Sequence, residues 1–499
     1  MLNRGRIVLF YPSYEGAPLG APLCLLTLAA TLREARFEPV IIDAAIDPNH
    51  LASVLDATGD AICLGISALT GPMLHGAIKV AKAVKERYPK LPIIFGGWHP
   101  TLLPDETLRE PYVDIVVRGQ GEITLLEIAT ALTAGTSLAP ITGISWKTGP
   151  IHTHNPDRKV AYLDELAEPA FDLCDFDAYE RAGGARKLAY ATSVGCPYAC
   201  NYCTDMVFYK RRFNALSAER VVEEMTRLVK RYRISTVALL DSNFPVDLKR
   251  ALAIAQGIRD SGVKFKWTFQ ASTDFLSRMS DDECRLLGEA GVSHMGFGTE
   301  STSERVLKLM NKRHQRVDEM YITAHKAQIG GIKVTFNLIM GYPGETEADR
   351  IETFQTMSDI VSQFSNVNFS PNIFTPYPGI PIWPQLRELG VYEPKNLREW
   401  AAMPLGGYGL PWLQGEELAR LQRMMDYFLL NSQLYHKNSS ASILRSLVRF
   451  IVQQPIRWRL RSSQFAFPWE LWLSRLSEDL ISRRSLVTGQ ALPPQAAAC

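Results

Sequence analysis

Strands and helices alternate along most of this sequence, and that alternation restricts the fold more than any other feature. In residues 1–120, short β-branched runs are separated by apolar repeats at helical spacing. The strand-like runs are RIVLFY, EPVIIDA, AICLGIS, PIIFGG and VDIVVRG. Strands connected in this way form a parallel sheet with helices on both faces. The first part of the chain is therefore predicted to be a doubly wound, Rossmann-like α/β domain.

A second alternating series begins at Leu188. Its strand-like runs are LAYATSV, STVALLD, FKWTFQA, SHMGFGT, KVTFNLIM and NVNFSPNIF, and helical stretches separate them. Consecutive βα units of this number predict a partial (β/α)6 barrel, in which reactive groups lie at the carboxyl ends of the strands. After this series the chain is predicted to be mainly helical.

Length and composition set the number of domains and exclude several classes of protein. A chain of 499 residues exceeds what one hydrophobic core usually organises. We expect four parts: residues 1–145, a linker over 146–187, the barrel over 188–380, and a helical region over 381–499. A formal net charge of +2 gives no reason to expect a nucleic-acid partner. The N-terminal run lacks a cleavage site and no segment is long and apolar enough to span a membrane, so we expect a cytoplasmic protein.

Three closely spaced cysteines follow the first strand of the second series. They are Cys196, Cys200 and Cys203, in the stretch SVGCPYACNYCTD. A structural zinc site needs four ligands, and no fourth cysteine or histidine is near in sequence. A CxxC redox pair would leave Cys196 unexplained. Thiolates are also the usual ligands of iron-sulfur clusters, and three of them leave one iron of a 4Fe-4S cluster open.

The loops after the strands of the first domain are rich in glycine. Ligands of doubly wound sheets bind beyond the carboxyl ends of the strands, where these loops lie. Glycine lets the backbone approach a bulky ligand, although any single glycine is explained as well by a tight turn. No GxGxxG follows the first strand, which argues against a dinucleotide. The loops together favour a large ligand of another kind.

The cysteine segment resembles the radical S-adenosylmethionine superfamily, whose signature is CxxxCxΦC with Φ aromatic. Cys196, Cys200, Tyr202 and Cys203 match it. The resemblance implies a 4Fe-4S cluster on the three cysteines, with S-adenosylmethionine bound at the open iron and cleaved to a 5′-deoxyadenosyl radical. At a position that the family often fills with an acidic pair, this chain has Asp241 followed by Ser242. The residues expected to contact S-adenosylmethionine are Tyr202, Asp241, Ser242, Asn243, Gln270, Glu300, Ser301 and Asn337.

The first domain resembles the cobalamin-binding domain that precedes many radical enzymes. The segments GGWHPT (residues 96–101) and GQGE (residues 119–122) carry the resemblance. The DxHxxG signature of proteins that bind cobalt through histidine is missing, so the resemblance implies cobalamin without a protein histidine on cobalt. For His99 itself, a hydrogen-bonding or packing role is favoured over a metal ligand. The residues expected to line the cobalamin site are Gly16, Leu19, Gly20, Ser67, Leu69, Thr70, Gly96, Gly97, Trp98, His99, Pro100, Gly119, Gly121 and Glu122.

The combined architecture is similar to cobalamin-dependent radical S-adenosylmethionine enzymes. The resemblance implies a methyltransferase that methylates an unactivated carbon by way of a 5′-deoxyadenosyl radical and methylcobalamin. A radical cyclase such as the anaerobic magnesium-protoporphyrin ester cyclase and a non-catalytic cobalamin or iron-sulfur sensor are the alternatives. The expected partners are a small-molecule substrate and a reductant such as flavodoxin or ferredoxin.

The C-terminal region combines apolar and basic residues. The run ILRSLVRFIVQQPIRWRLRSS has the composition of a helix that lies on a membrane surface or contacts an apolar substrate. Packing of such a helix against the barrel is the more common outcome. An apolar substrate and peripheral membrane contact are therefore kept as expectations about the partners.

Overall fold

A computed structural model of the chain describes residues 4–13, 20–183, 185–403, 408–436, 453–460, 462, 464–465 and 467–471. Its first sheet contains parallel strands in the order β2-β1-β3-β4-β5, followed by the antiparallel strands β6 and β7. These strands are β1 (Arg6–Tyr11), β2 (Glu38–Asp43), β3 (Ala61–Ser67), β4 (Ile93–Gly96), β5 (Ile115–Val117), β6 (Ile144–Thr148) and β7 (Ile151–His154). The parallel part confirms the doubly wound domain.

Helices cover both faces of this sheet, as its strands require. Buried side chains such as Val8 and Phe10 pack on one face, and Ile7 and Leu9 pack on the other. This alternation within one strand follows from the two-residue period of a strand. The helices are α1 (Leu23–Glu34), α2 (His50–Ala57), α3 (Met73–Arg87), α4 (Trp98–Leu102), α5 (Pro104–Leu108) and α6 (Glu122–Ala134).

The segment predicted as a linker connects the two domains through specific bonds. It begins within the β6-β7 hairpin, which belongs to the first sheet. It then continues through the helix α7 (Phe176–Gly183), where the Tyr179 hydroxyl donates a 2.5 Å hydrogen bond to Asp43 in β2. Arg220, in the second domain, donates to the backbone carbonyls of Leu163 and Leu166. The linker therefore binds both domains along its length.

The second sheet has six parallel strands in the order β15-β14-β13-β12-β11-β8, and it confirms the predicted partial barrel. The strands of this part are β8 (Lys187–Tyr190), β9 (Ser193–Val194), β10 (Asn214–Ala215), β11 (Thr236–Leu239), β12 (Lys266–Ala271), β13 (Val292–Glu300), β14 (Lys333–Met340) and β15 (Val367–Ile373). The short strands β9 and β10 form a separate antiparallel pair. Its helices are α8 (Asp205–Phe208), α9 (Ala218–Tyr232), α10 (Leu248–Asp260), α11 (Asp274–Ser277), α12 (Asp281–Glu289), α13 (Glu304–Leu309), α14 (Asp318–Ile329) and α15 (Glu347–Gln363).

The C-terminal region is helical where the structure describes it. Its helices are α16 (Trp383–Glu388), α17 (Leu397–Ala401) and α18 (Gly415–His436), and residues 453–460 are also helical. Helix α17 returns to the first domain, where fully buried Trp400 lies edge-on to His99 with ring centroids 6.1 Å apart. No helix among the described residues is long and apolar enough to cross a membrane.

Candidate active site

The three cysteines lie on the loop that leaves the barrel after β8 and β9. Gly195 precedes them with a backbone φ of 78°, and a Cβ there would lie 2.0 Å from the carbonyl oxygen of Arg212. Only glycine tolerates both the left-handed backbone and this close approach. The loop is also held from α13, because Asn201 donates to the carbonyl of Leu309 and Asn311 donates to the carbonyl of Ala199.

Backbone N–H groups point at the cysteine sulfurs. The N–H of Tyr198 faces the thiol of Cys196, and the N–H groups of Asp205 and Met206 face the thiol of Cys203. Burial raises the pKa of the Cys203 thiol to about 12, and these N–H groups oppose that shift. Donors aimed at sulfur stabilise the negative charge of an iron-sulfur cluster. The local chemistry of the loop therefore fits such a cluster.

No group of three His, Cys, Asp or Glu side chains in the described parts of the chain is arranged to hold a single metal ion. One tetrahedral zinc ion would bring its thiolates to roughly 3.8 Å from each other, given Zn–S bonds of about 2.3 Å. In a four-iron cluster each thiolate binds a different iron, so the sulfurs stay farther apart. The three cysteines are therefore not gathered as closely as a single zinc ion would require.

A buried ion pair lies beside the cysteine loop and was not predicted. Lys312 is 6% exposed, and its Nζ lies 3.5 Å from Glu300 Oε1 and 3.4 Å from the Tyr202 hydroxyl. Burial acts to lower the pKa of Lys312, but Glu300 and the three cysteine sulfurs outweigh burial and raise it. Lys312 therefore stays protonated and places a positive charge within reach of all three cysteines.

The backbone at Glu300 is strained. Glu300 ends β13 with φ at 65°, in a region that residues other than glycine, asparagine and aspartate seldom adopt. Such strain persists where the surrounding structure imposes it, often at functional sites. The side chain of this strained residue is the one paired with Lys312.

Asp241, predicted to contact S-adenosylmethionine, is bonded within the protein. Its carboxylate accepts hydrogen bonds from the backbone N–H of Thr192 at 2.8 Å, from the Thr192 hydroxyl at 2.6 Å and from the Ser193 hydroxyl at 2.5 Å. These bonds attach the end of β11 to the start of the cysteine loop. Asp241 thereby positions the loop.

The neighbouring Ser242 faces a carboxylate that sequence reasoning missed. Its hydroxyl donates a 2.7 Å hydrogen bond to Asp205 Oδ1. Burial raises the pKa of Asp205, and the bond from Ser242 opposes that shift. The only signal in the sequence was the position of Asp205, two residues after Cys203.

Two other predicted contacts serve local structure. Asn243 is buried, and its side-chain oxygen accepts a 3.3 Å hydrogen bond from the N–H of Ser272. Ser301 is 1% exposed, and its hydroxyl accepts from the N–H of Ser303 at the start of α13. The cap of α13 is Ser303, whose hydroxyl accepts from the backbone N–H of Val306, so Ser301 forms a local turn before the helix and does not cap it.

Gln270 and Asn337 point into the interior of the barrel. They are half-buried, whereas their neighbours in the same strands are buried against the helices. Gln270 pairs with Gly296 and Asn337 pairs with Gly298 across β13. A Cβ on Gly296 would lie 2.3 Å from Gln270 Oε1, so the missing side chain makes room for the amide.

His294 lies deeper in the same interior and was not predicted. Its Nε2 lies 2.8 Å from the Thr335 hydroxyl, and burial lowers its pKa. The sequence placed His294 in a predicted strand, SHMGFGT. It did not show that the side chain faces the barrel interior, because that depends on how β13 pairs with its neighbours.

The predicted cobalamin residues gather at the carboxyl edge of the first sheet, and this edge faces the cysteine loop. Trp98, at the start of α4, packs on Phe208 of α8, with ring centroids 4.3 Å apart. Trp98 also lies edge-on to Tyr209 at 6.0 Å. Gly20 reaches the same boundary, because a Cβ there would lie 3.5 Å from the backbone N of Ala189.

His99 and its neighbours are buried under the loops that follow the strands of the first sheet. His99 is fully buried, its Nδ1 lies 2.9 Å from the Thr70 hydroxyl, and burial lowers its pKa to about 3. Pro100 is buried next to it, and the backbone N–H of Leu69 faces the sulfur of Met73. This environment supports the packing role favoured for His99.

The glycines of these loops divide into two groups. A Cβ on Gly97, whose φ is 96°, would lie 2.9 Å from the carbonyl oxygen of Ala68, so this glycine closes the turn. A Cβ on Gly96 or on Gly121 would also contact a side chain of the domain, Val117 or Leu28 respectively. Gly119 has φ at 76°, and a Cβ there would meet nothing within 4 Å. Open space beside Gly119 fits a bulky ligand.

Two polar side chains complete this edge. Ser67 Oγ lies 3.6 Å from the sulfur of Cys24. Burial raises the pKa of Glu122, and its Oε2 is buried without a hydrogen-bond partner in the described part of the chain. An orphaned carboxylate oxygen on this loop fits a ligand that donates a hydrogen bond, as a polar group of cobalamin would. Gly16 and Leu19 lie outside the described residues.

Comparisons with known proteins agree with this geometry. The sequence model of the radical SAM superfamily matches residues 190–357, and that of the B12 binding domain matches residues 13–129. An uncharacterised methyltransferase of Pyrococcus horikoshii is 31% identical over 391 residues, which cover 76% of this chain and 82% of the relative. The anaerobic magnesium-protoporphyrin IX monomethyl ester cyclase of Rubrivivax gelatinosus is 24% identical and covers 75% of this chain and 68% of its own length.

A solved structure shares the fold over nearly the whole chain. It is the radical S-adenosylmethionine methyltransferase TsrM of Kitasatospora setae, with cobalamin and a [4Fe-4S] cluster bound. The TM-score is 0.69 at 15% identity, and the match covers 93% of this chain and 100% of TsrM.

The fold and the cysteine site define a radical enzyme whose barrel is preceded by a cofactor-binding domain. The chain belongs to the B12-binding-domain branch of the radical S-adenosylmethionine superfamily. Its cofactors are a 4Fe-4S cluster, S-adenosylmethionine and cobalamin.

Proposed function

We propose that this protein is a cobalamin-dependent methyltransferase that methylates an unactivated carbon of a small molecule. The observation that carries the proposal is the contact of Trp98 with Phe208, which brings the glycine-rich edge of the first domain against the cysteine loop. When bound, the cluster and S-adenosylmethionine supply a 5′-deoxyadenosyl radical, and cobalamin supplies a transferable methyl group. Cobalamin and the radical must both reach the same substrate carbon, so their two sites must open into one cavity.

The residues proposed to hold the cofactors lie on both sides of this boundary. Cys196, Cys200 and Cys203 would bind the cluster. Lys312 would face the methionine carboxylate of S-adenosylmethionine, because it carries a positive charge beside the cysteine loop. The remaining proposed contacts are Tyr202 with the adenine, Gln270 and Asn337 with the ribose, and Gly119 and Glu122 with cobalamin.

The rings at the boundary would also exclude water. Trp98, Phe208 and Tyr209 pack together between the two candidate sites. A reactive radical abstracts hydrogen without side reactions only where solvent is kept out. We therefore assign these rings a role in sealing the cavity as well as in joining the domains.

The experiment that tests the proposal follows the fate of S-adenosylmethionine. Protein reconstituted without oxygen with iron, sulfide and cobalamin is incubated with S-adenosylmethionine, candidate substrates and reduced flavodoxin or ferredoxin. Formation of S-adenosylhomocysteine together with 5′-deoxyadenosine supports methyl transfer. Deoxyadenosine alone supports the cyclase alternative, which the cyclase relative favours.

The proposal extends to an apolar substrate and to the membrane surface. Phe467 is 87% exposed and Trp458 is 58% exposed, and Trp469 is also exposed. Exposed aromatic side chains in a basic segment bind the interface of anionic bilayers. A variant with serine at all three positions should lose sedimentation with vesicles containing phosphatidylserine, whereas Tyr162→Ser, at another exposed aromatic residue, should keep it. Retained binding in the triple variant would contradict membrane contact.

The division into residues 1–145, 146–187, 188–380 and 381–499 and the cytoplasmic location remain part of this proposal. Limited proteolysis followed by mass spectrometry locates the boundaries, and fractionation of the native cells locates the protein.

A further inference from the structure

A carboxylate next to the cysteine loop has one oxygen without a partner. Asp205 is the first residue of α8 and is 6% exposed. Its Oδ1 accepts the hydrogen bond from Ser242. Its Oδ2 is buried and has no hydrogen-bond partner in the part of the chain that the structure describes. Buried polar atoms are almost always satisfied, so an unsatisfied carboxylate oxygen indicates a ligand that donates a hydrogen bond.

Asp205 lies beside the cysteines, as Lys312 does, but it carries the opposite charge. Its carboxylate interacts electrostatically with Cys196 and Cys203. Lys312 interacts with the same two sulfurs and with Cys200, and it is held by Glu300 and Tyr202. Asp205 is instead held by Ser242 at the end of β11. The Asp205 carboxylate and the Lys312 ammonium group therefore both lie beside the cysteine loop, and different residues hold each of them in place.

A zwitterionic amino acid is the ligand that such a pair would recognise. Its ammonium group needs a carboxylate acceptor, and its carboxylate group needs a cation. Asp241 is a poor acceptor here because Thr192 and Ser193 already donate three hydrogen bonds to it. Glu300 is paired with Lys312. Asp205 Oδ2 is the buried carboxylate oxygen beside the cysteines that has no such bond among the described residues.

We propose that Asp205 Oδ2 accepts a hydrogen bond from the ammonium group of S-adenosylmethionine, with Ser242 orienting the carboxylate. This inference rests on the proposed function, because it takes S-adenosylmethionine to bind at the cysteine loop. At the position where the superfamily often has a second acidic residue, this chain has Ser242 after Asp241. A carboxylate at the end of the strand is therefore missing there. In this chain the loop after Cys203 supplies the carboxylate instead, and the serine holds it.

The test measures binding without turnover. In Asp205→Asn, the amide oxygen still accepts from Ser242, while an NH2 group replaces the charged acceptor. With the cluster oxidised and no reductant present, equilibrium dialysis should show affinity for S-adenosylmethionine falling about tenfold or more, as expected for the loss of a charge-assisted hydrogen bond. Affinity for 5′-methylthioadenosine, which has no amino acid group, should be unchanged. The double variant Asp205→Asn with Ser242→Asp, which returns a carboxylate from the strand, should recover binding.

Each other outcome has a separate meaning. Wild-type affinity for S-adenosylmethionine in Asp205→Asn, at full iron content, overturns the inference. An equal loss for both ligands also overturns it, because the effect would not depend on the ammonium group. A wild-type protein that takes up no iron contradicts the proposed function itself. If Asp205→Asn does not take up iron, Ser242→Ala replaces it: selective weakening for S-adenosylmethionine is expected, and unchanged affinity overturns the inference.

Discussion

The ring of Trp98 packs on the ring of Phe208, with centroids 4.3 Å apart and planes inclined by 36°. Trp98 follows the fourth strand of the B12-binding domain, and Phe208 ends the short helix after Cys203. The two domains are thus in contact where their candidate cofactor sites adjoin.

Removing either ring should weaken the domain boundary and uncouple the two cofactors. An aromatic pair contributes about 0.5–1.5 kcal/mol beyond the area that it buries. A double-mutant cycle of Trp98→Ala and Phe208→Ala in urea unfolding should give a coupling free energy in that range. In turnover, we expect Trp98→Ala to form more 5′-deoxyadenosine for each methyl group transferred. Additive unfolding free energies with unchanged product ratios would contradict the role of this contact.

Lys312→Met should make the cluster harder to reduce. Loss of a buried positive charge near the cysteines favours the more oxidised cluster, with a shift on the order of 50–100 mV to more negative potential at an effective dielectric of about 20. Glu300 would also lose its cation, which typically costs about 3 kcal/mol of unfolding free energy. A redox titration followed by electron paramagnetic resonance measures the potential. Lys308→Met, at an exposed position of α13, is the matched control and should leave both quantities unchanged.

His99 should make the protein less stable in mild acid. Its pKa in the folded protein is about 3, below its ordinary value of 6.5, so the folded state disfavours the protonated ring. Its contribution is complete above pH 6.5 and is lost as the pH falls from 6.5 toward 3. The loss at pH 5 is about 2 kcal/mol, from 1.36 kcal/mol for each pH unit. The fall in unfolding free energy from pH 7 to pH 5 should therefore be about 2 kcal/mol smaller in His99→Asn. Equal slopes for the two proteins would show that His99 does not titrate in this way.

Gly296→Ala should displace Gln270 without unfolding the barrel. The new Cβ would lie 2.3 Å from Gln270 Oε1, which is the far end of a flexible side chain. We expect a melting temperature close to that of the wild type and an affinity for S-adenosylmethionine about tenfold lower, as for one lost ligand hydrogen bond. Gln270→Ala should weaken binding to the same extent, and combining the two substitutions should add nothing further. Additive losses would show that Gly296 acts through another neighbour.

The order of elements could be predicted from sequence because it depends on local patterns. Strand KVTFNLIM was predicted at the residues where β14 occurs. Its side chains point alternately to the helices, where they are buried, and to the barrel interior, where most are half-buried. The three cysteines were found for a related reason, because their ligand spacing is local. The β6-β7 hairpin was not recognised as part of the first sheet, since its polar residues lie on an edge.

The partners of individual side chains could not be predicted, because they depend on the tertiary fold. Asp241 is bonded to Thr192 only because parallel pairing of β8 with β11 brings their ends together. Lys312, in the turn after α13, pairs with Glu300 at the end of β13, where the backbone is left-handed. Asp205 meets Ser242 across two loops. Each relationship joins residues that no sequence period connects.

The most direct test of the central claim is the quantity of S-adenosylhomocysteine and 5′-deoxyadenosine formed by the reconstituted protein, measured together by mass spectrometry. With cobalamin, cluster and reductant present, we predict that both products form from S-adenosylmethionine. Cys200→Ala should lose the deoxyadenosine, whereas Cys174→Ser, at a cysteine away from the loop, should keep it. A protein that carries the full cluster and cobalamin and yet forms neither product would contradict the account and leave the sensor alternative.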